Sequence, residues 1–382
     1  MRLRLTEEEA AFREEMRAFF TTQIPQDVRD AVAAGRHVGK DDYVRTMRIM
    51  NAAGLAVPHW PAEWGGRDWT PLQRHIWHEE MQLACVPPPL AFNASMVGPV
   101  IANFGSQEQK ERFLPPTANL DIWWAQGFSE PNAGSDLASL STRAVRDGDD
   151  WIVNGQKTWT TLGQHADWIF CLVRTDPDAE RKQQGISFLL FPMDSPGVTL
   201  RPIELIDGSF EVNEVFFDDV RVPGDLLVGE ANQGWSYAKF LLGNERVGVA
   251  PVGATKRALA RLKEIAQQQV LDDPLTTARF VELENELLAL ELTALRVVAH
   301  SADGKPHPAS SVLKLKGTEL QQAVSELAVD LAGPLSLASG SGSVPDWAAL
   351  SAPTYLNLRK ASIYGGSNEI QRQIIAGTIL GL

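Results

Sequence analysis

Val145-Arg146-Asp147-Gly148-Asp149-Asp150-Trp151-Ile152-Val153-Asn154-Gly155-Gln156-Lys157-Thr158-Trp159 is the stretch on which the fold turns. Asp147-Gly148 and Asn154-Gly155 are turn pairs, and the apolar residues around them predict paired strands. Strand-like runs follow at Trp168–Val173, Ile186–Phe191 and Val212–Phe217, punctuated by Pro192, Pro196, Pro202 and Pro223. On both sides of this zone the period changes to that of helices. Thr6 caps an amphipathic run to Phe20, and Asp41 to Ala53 and Thr70 to Ala84 are similarly periodic. The Pro- and Gly-rich segment Val57–Gly66 breaks that series. Ala254 to Gln269, Leu275 to His300 and Ala309 to Leu331 read as long helices, and Ser336 to Pro345 as a loop.

The expected architecture is α+β and multidomain: helical over 1–120, β over 121–230, helical over 231–382. This order is not the alternating βα pattern of a dinucleotide-binding sheet. No Gly-x-Gly-x-x-Gly follows a strand, so a nucleotide cofactor must be held in another way.

Bulk properties narrow the function. The 382 residues carry a net charge of -13, which argues against nucleic-acid binding. No run is long enough to cross a bilayer, and Met1 to Glu8 carries no apolar segment of a secretory signal. Cys85 and Cys171 stand apart from any metal-binding spacing, so a reducing cytoplasm is expected. His75-Ile76-Trp77-His78-Glu79-Glu80 has neither HExxH nor HxxEH order and reads as a wet helix face, not a metal site.

Four further blocks carry chemistry. They are Gln126-Gly127-Phe128-Ser129-Glu130-Pro131-Asn132-Ala133-Gly134-Ser135-Asp136, Asn154 to Thr161, Asn213 to Pro223, and Ile363-Tyr364-Gly365-Gly366-Ser367-Asn368-Glu369-Ile370-Gln371-Arg372. In this order and at these separations they closely resemble the acyl-CoA dehydrogenase family over nearly the whole chain. The resemblance implies a helical N-terminal domain, a middle β-barrel domain and a C-terminal four-helix bundle, with FAD between the last two. It implies α,β-dehydrogenation of an acyl-CoA thioester: a base takes the α-proton while hydride passes from the β-carbon to flavin N5.

Such an α-proton is weakly acidic, so a positioned carboxylate and donors to the thioester oxygen are needed. The family's commoner base position, directly after the Tyr of the last block, is Gly365 here. A second branch, acting on branched or long acyl chains, carries its glutamate earlier, before an Arg. Leu241-Leu242-Gly243-Asn244-Glu245-Arg246 matches that pattern and makes Glu245 the expected base. Taken alone, Glu245 reads as a solvated helix residue; the small Gly365-Gly366 pair opposite the motif supports the catalytic reading.

The same resemblance assigns Gln126, Phe128, Ser129, Ser135, Trp159, Thr160, Thr161, Ser367 and Glu369 to FAD. It assigns Ser135, Asn244, Arg246, Tyr364 and Gly365 to the acyl-CoA. For Trp159 alone, packing between strands is an equal reading.

A further departure concerns the helix that, in the common pattern, reaches a neighbour's FAD through an Arg and a Phe-Gly. Gln269 and Asp272-Asp273 stand there. Asp330-Leu331-Ala332-Gly333-Pro334-Leu335-Ser336 replaces a Gln- and Gly-rich segment with the same duty. An Asp facing a pyrophosphate repels it. The resemblance implies a homo- or hetero-oligomer, a dimer or tetramer, with α2β2 pairing to an unlike acyl-CoA dehydrogenase subunit as the arrangement these departures favour, and an electron-transfer flavoprotein as electron acceptor. Two alternatives remain open: a flavin-binding accessory subunit, and a same-fold flavin oxidase or monooxygenase.

Overall fold

A computed structural model describes residues 5–245, 251–268, 273–299, 307–338 and 344–382. The helices are α1 (Glu7–Thr22), α2 (Gln26–Ala34), α3 (Lys40–Ala52), α4 (Pro71–Leu83), α5 (Gly98–Phe104) and α6 (Gln107–Ala118), then α7 (Gly234–Glu245), α8 (Val252–Gln268), α9 (Pro274–Ala299), α10 (Ser310–Ala332), α11 (Asp346–Ala349), α12 (Ser351–Leu358) and α13 (Asn368–Ile375). The strands, all lying between α6 and α7, are β1 (Trp124–Gly127), β2 (Arg143–Asp147), β3 (Asp150–Thr161), β4 (Trp168–Arg174), β5 (Ile186–Pro192), β6 (Val198–Ile203) and β7 (Val212–Val222). The expected helix–sheet–helix order is therefore the observed one.

In space the chain forms two compact units, one of residues 43–68 and 89–245, the other of residues 1–42, 69–88 and 246–382. The first holds the sheet, of order β1-β4-β2-β3-β7-β6 with β5 paired to β4. β4 and β5 are buried along nearly their whole length, which is why both read as largely apolar runs, with Ser187 the polar exception in β5. Phe170 and Phe188 stack there with centroids 5.8 Å apart, and Phe128 meets Phe170 edge-on at 5.7 Å. Each such ring contributes about 2–3 kcal/mol by leaving water.

The β2–β3 hairpin closes through Gly148-Asp149, with Gly148 at φ 63 and Asp147 opposite Asp150. Only the first of the two loop residues has positive φ, the type II′ pattern that calls for glycine there. Asn154-Gly155 is not a turn. It lies inside β3, where the register with β7 shifts. Gly155 has φ 148, and a Cβ on it would stand 2.6 Å from Thr142 Oγ1. The glycine thus permits a close crossing, while Asn154 exchanges hydrogen bonds with Asp219.

α7 is anchored to β5 in the same unit. A Cβ on Gly234 would lie 2.5 Å from the carbonyl carbon of Ser187. Ser187 Oγ accepts the amide of Asn232 at 2.8 Å, and Tyr237 packs against Phe104 at 4.5 Å. Gly234→Ala is expected to cost about 1–3 kcal/mol, because the obstructing atoms are strand backbone. A melting temperature equal to that of wild type would rule out this anchoring role.

The second unit is helical. Leu259 and Leu262 of α8, Phe280, Leu283, Leu287 and Leu290 of α9, and Leu313, Leu320 and Leu327 of α10 form one core. α12 and α13 pack on α10, and α4 on α1 and α8. The α4 face read as wet is not. Glu80 is 2% exposed and Glu79 is also buried. Arg13 donates to Glu79 at 2.7 Å, and Arg17 donates to both oxygens of Glu80 at 3.0 and 3.2 Å. The charges come from α1, more than sixty residues away, so nothing local marked that face as interior. Burial, and to a lesser degree His75, push His78 down to about 4.

Candidate active site

β1 and the segment leaving it carry four of the nine residues assigned to the flavin. Phe128 is buried, Gln126 and Ser129 are half-buried, and Ser135 is exposed. The structure brings this segment against β3, where the amide of Thr158 donates to the carbonyl of Ser129 at 2.9 Å. The next residue, Trp159, has φ 59 and is 58% exposed. It sits in the register shift between Lys157 and Thr160. It is therefore not a core residue: the bulge turns its indole outward. Thr160 points inward and is fully buried, with Oγ1 unpaired among the described residues, and Thr161 is half-buried.

An outward aromatic plane beside two half-buried polar side chains and a serine farther along fits a flat ring joined to a phosphate chain. The donor set on this unit is thus compatible with FAD. A non-glycine residue held at positive φ costs about 1–3 kcal/mol and persists only where its surroundings fix it.

The last block lies in the helical unit. Tyr364, Gly365 and Gly366 are exposed, with Gly365 at φ 62 and Gly366 at φ 82. Both carbonyls accept from Gln371 Nε2, at 3.4 and 3.3 Å. Ser367 caps α13 through the amide of Ile370, and Glu369 is exposed in the first turn. Its own backbone amide and Ser367 hold the Glu369 carboxyl below the usual range. A side chain at Gly365 would have to adopt the left-handed region, which costs about 1–2 kcal/mol. The glycine is thus fitted to the turn as well as being small.

Asn244 and Glu245 close α7, but their side chains, and Arg246 altogether, lie outside the described residues. So do Gln269 and Asp272. Asp273 Oδ1 accepts the amides of Leu275 and Thr276; the Thr276 side chain first, and then these amides, hold its carboxyl below the usual range. Arg279 is ion-paired with Asp330. These residues line a cavity of about 320 Å³ with Leu275, Thr276, Leu327 and Leu331.

Glu130, Lys157 and Gln371 are among the residues of the quoted blocks that received no role from sequence.

Models of the acyl-CoA dehydrogenase N-terminal, middle and C-terminal domains match residues 6–121, 125–220 and 232–380. The chain is 41% identical over 338 residues to "Acyl-CoA dehydrogenase IpdE1" of Mycobacterium tuberculosis, covering 87% of this chain and 86% of that one. It is 37% identical to the protein of the same name from Mycolicibacterium smegmatis, over 97% of each. Among solved structures, the Tcur3481-Tcur3483 steroid ACAD superposes with a TM-score of 0.88 at 30% identity, over 100% of this chain and 99% of that one. The ChsE4-ChsE5 complex from Mycobacterium tuberculosis gives 0.86 at 32%, with the same coverage.

Proposed function

The chain belongs to the acyl-CoA dehydrogenase family, an FAD-dependent oxidoreductase acting on acyl-CoA, and from that premise we propose that Glu245 is its catalytic base. The observation that carries this reading is the backbone at Gly365. The commoner base position has no carboxylate and sits at φ 62 in an exposed turn, where a glutamate would be strained. The carboxylate at the end of α7 remains, at the position used by the branch with bulky or branched acyl groups.

When bound, FAD supplies the acceptor for the β-hydrogen. Glu245 takes the α-proton. Trp159 would flank the bound flavin, with Gln126 and Ser129 as its polar contacts and Phe128, Thr160 and Thr161 completing the surface that holds it. Ser367 and Glu369 would also serve the cofactor, and Ser135, Asn244, Arg246, Tyr364 and Gly365 the CoA thioester. The substrate class we favour is a bulky acyl-CoA, a sterol side chain or a dicarboxylic acyl group, because relatives at 30% identity or more include a steroid dehydrogenase. Electrons then leave to an electron-transfer flavoprotein. Among the described residues no helix is long and apolar enough to cross a membrane, and a cytoplasmic setting fits the two free cysteines.

The oligomer contains an unlike subunit. Asp273 and Asp330 stand where the common pattern would serve a neighbour's pyrophosphate, and Arg279 is already committed to Asp330. Two of the relatives named above are themselves complexes of two different chains.

Anaerobic addition of an acyl-CoA to the FAD-loaded protein is expected to bleach the flavin band. Its persistence with every acyl-CoA tried, bulky ones included, would defeat the substrate reading. The partner reading fails if the chain purifies alone as a homodimer with full FAD occupancy. Absence of FAD in every preparation would favour the accessory subunit instead.

A further inference from the structure

We propose that Lys157 and Glu130 are positioning residues for the flavin. They form a buried ionic clamp that fixes the segment leaving β1 against the β3 bulge, so that Ser129 and Trp159 present one rigid face. The proposal rests on the reading that these two residues flank the ring.

Lys157 is 0% exposed and Glu130 5%. Lys157 Nζ donates to Glu130 Oε1 at 2.8 Å and to the carbonyl of Phe128 at 3.1 Å. Glu130 also accepts from the amide and hydroxyl of Ser141, at 2.7 and 2.8 Å, and from the amide of Thr142 at 2.9 Å. With the Thr158-to-Ser129 bond, three consecutive residues, 128 to 130, are fastened to two consecutive residues of β3. The loop ahead of β2 is tied to the same point.

Such a pair is a poor way to gain stability. Taking both charges from water costs several kcal/mol per ion, and an apolar pair of equal volume often serves as well or better. An apolar pair cannot bond two carbonyl or carboxylate oxygens and two amides at once. What the ions contribute is a fixed geometry, and its place is informative. The clamp ends one residue short of Trp159's ladder break. On the other side, Asn213 Nδ2 holds the carbonyl of Thr160 at 3.1 Å. Trp159 is thus pinned fore and aft in a conformation it would leave if released.

The test compares wild type, the double variant Lys157→Met with Glu130→Leu, and Trp159→Ala, each as the FAD-loaded assembly in which it purifies. The readouts are the rate of FAD loss on dilution, followed by flavin fluorescence, and the visible circular dichroism of the bound flavin. The double variant should melt within a few degrees of wild type, yet lose FAD about tenfold faster or more, with altered dichroism. Lys157→Arg keeps the charge on a planar fork that cannot place one donor group on both oxygens. It should fold and shift the same readouts in the same direction, and it decides the matter should the apolar pair not fold. Wild-type FAD loss and dichroism in either folded variant overturn the clamp. If they occur while Trp159→Ala changes both readouts, the ring-face reading survives without it. If Trp159→Ala changes neither, that reading falls and the clamp with it.

Discussion

Glu245→Gln should bind FAD as wild type does and bleach about 10²–10⁴ times more slowly when acyl-CoA is added anaerobically, the usual loss for a removed general base. In barrier terms this is about 3–5 kcal/mol. Glutamine keeps the size of the side chain and much of its hydrogen bonding, so the loss isolates proton abstraction. Stopped-flow reduction is the right measurement, since steady-state turnover also reports product release and electron exit. If the variant were reduced at the wild-type rate, Glu245 would leave the mechanism. The experiment belongs in the assembly with any unlike subunit present, because an isolated chain that lost FAD would show no bleaching for another reason.

The second large effect is on stability against pH. His78 lies at the α4 interface with its ring nitrogen 3.2 Å from Gln82 Nε2. Burial lowers it from an ordinary 6.5 to about 4. Beside it stands His75, itself lowered by burial, and His75 in turn faces Glu79, Arg13, Glu291 and Lys256. A depressed histidine means that, between the two values, the unfolded chain binds the proton and the folded one does not. Its contribution is complete above pH 6.5 and is lost as pH falls to about 4. The size of the loss is on the order of 3 kcal/mol. Glu130, opposed by burial but held by Lys157 to about 2 from an ordinary 4.5, weakens the protein only in a lower window, between those two values. Urea unfolding at pH 7.5 and 5 should thus show wild type losing stability and His78→Gln losing distinctly less. Equal losses would mean the histidine is not kept neutral by the fold.

How far the sequence reached depended on the distance over which each feature is determined. Gly148 in the hairpin, Thr6 at its cap and the buried runs of β4 and β5 are decided within a few residues, and all were legible. Asn154-Gly155 was misread as a turn because the dipeptide looks the same in a hairpin loop and in a bulge. Only the approach of Thr142 makes it the latter. The α4 face was misread because Glu79 and Glu80 meet their arginines from α1. The candidate site divides in the same way. The residue types came from motif register, whereas the outward turn of Trp159 and the Lys157–Glu130 pair come from strand pairing that no local pattern encodes.

Trp159 has a consequence for observation. Of the chain's 11 tryptophans it alone is classed as exposed. The others, buried or half-buried, emit toward the blue, whereas this indole emits at long wavelength while water touches it. Should the flavin cover it, that red edge would be the first light to vanish. The emission spectrum of the native, unlabelled chain then becomes a gauge of cofactor occupancy.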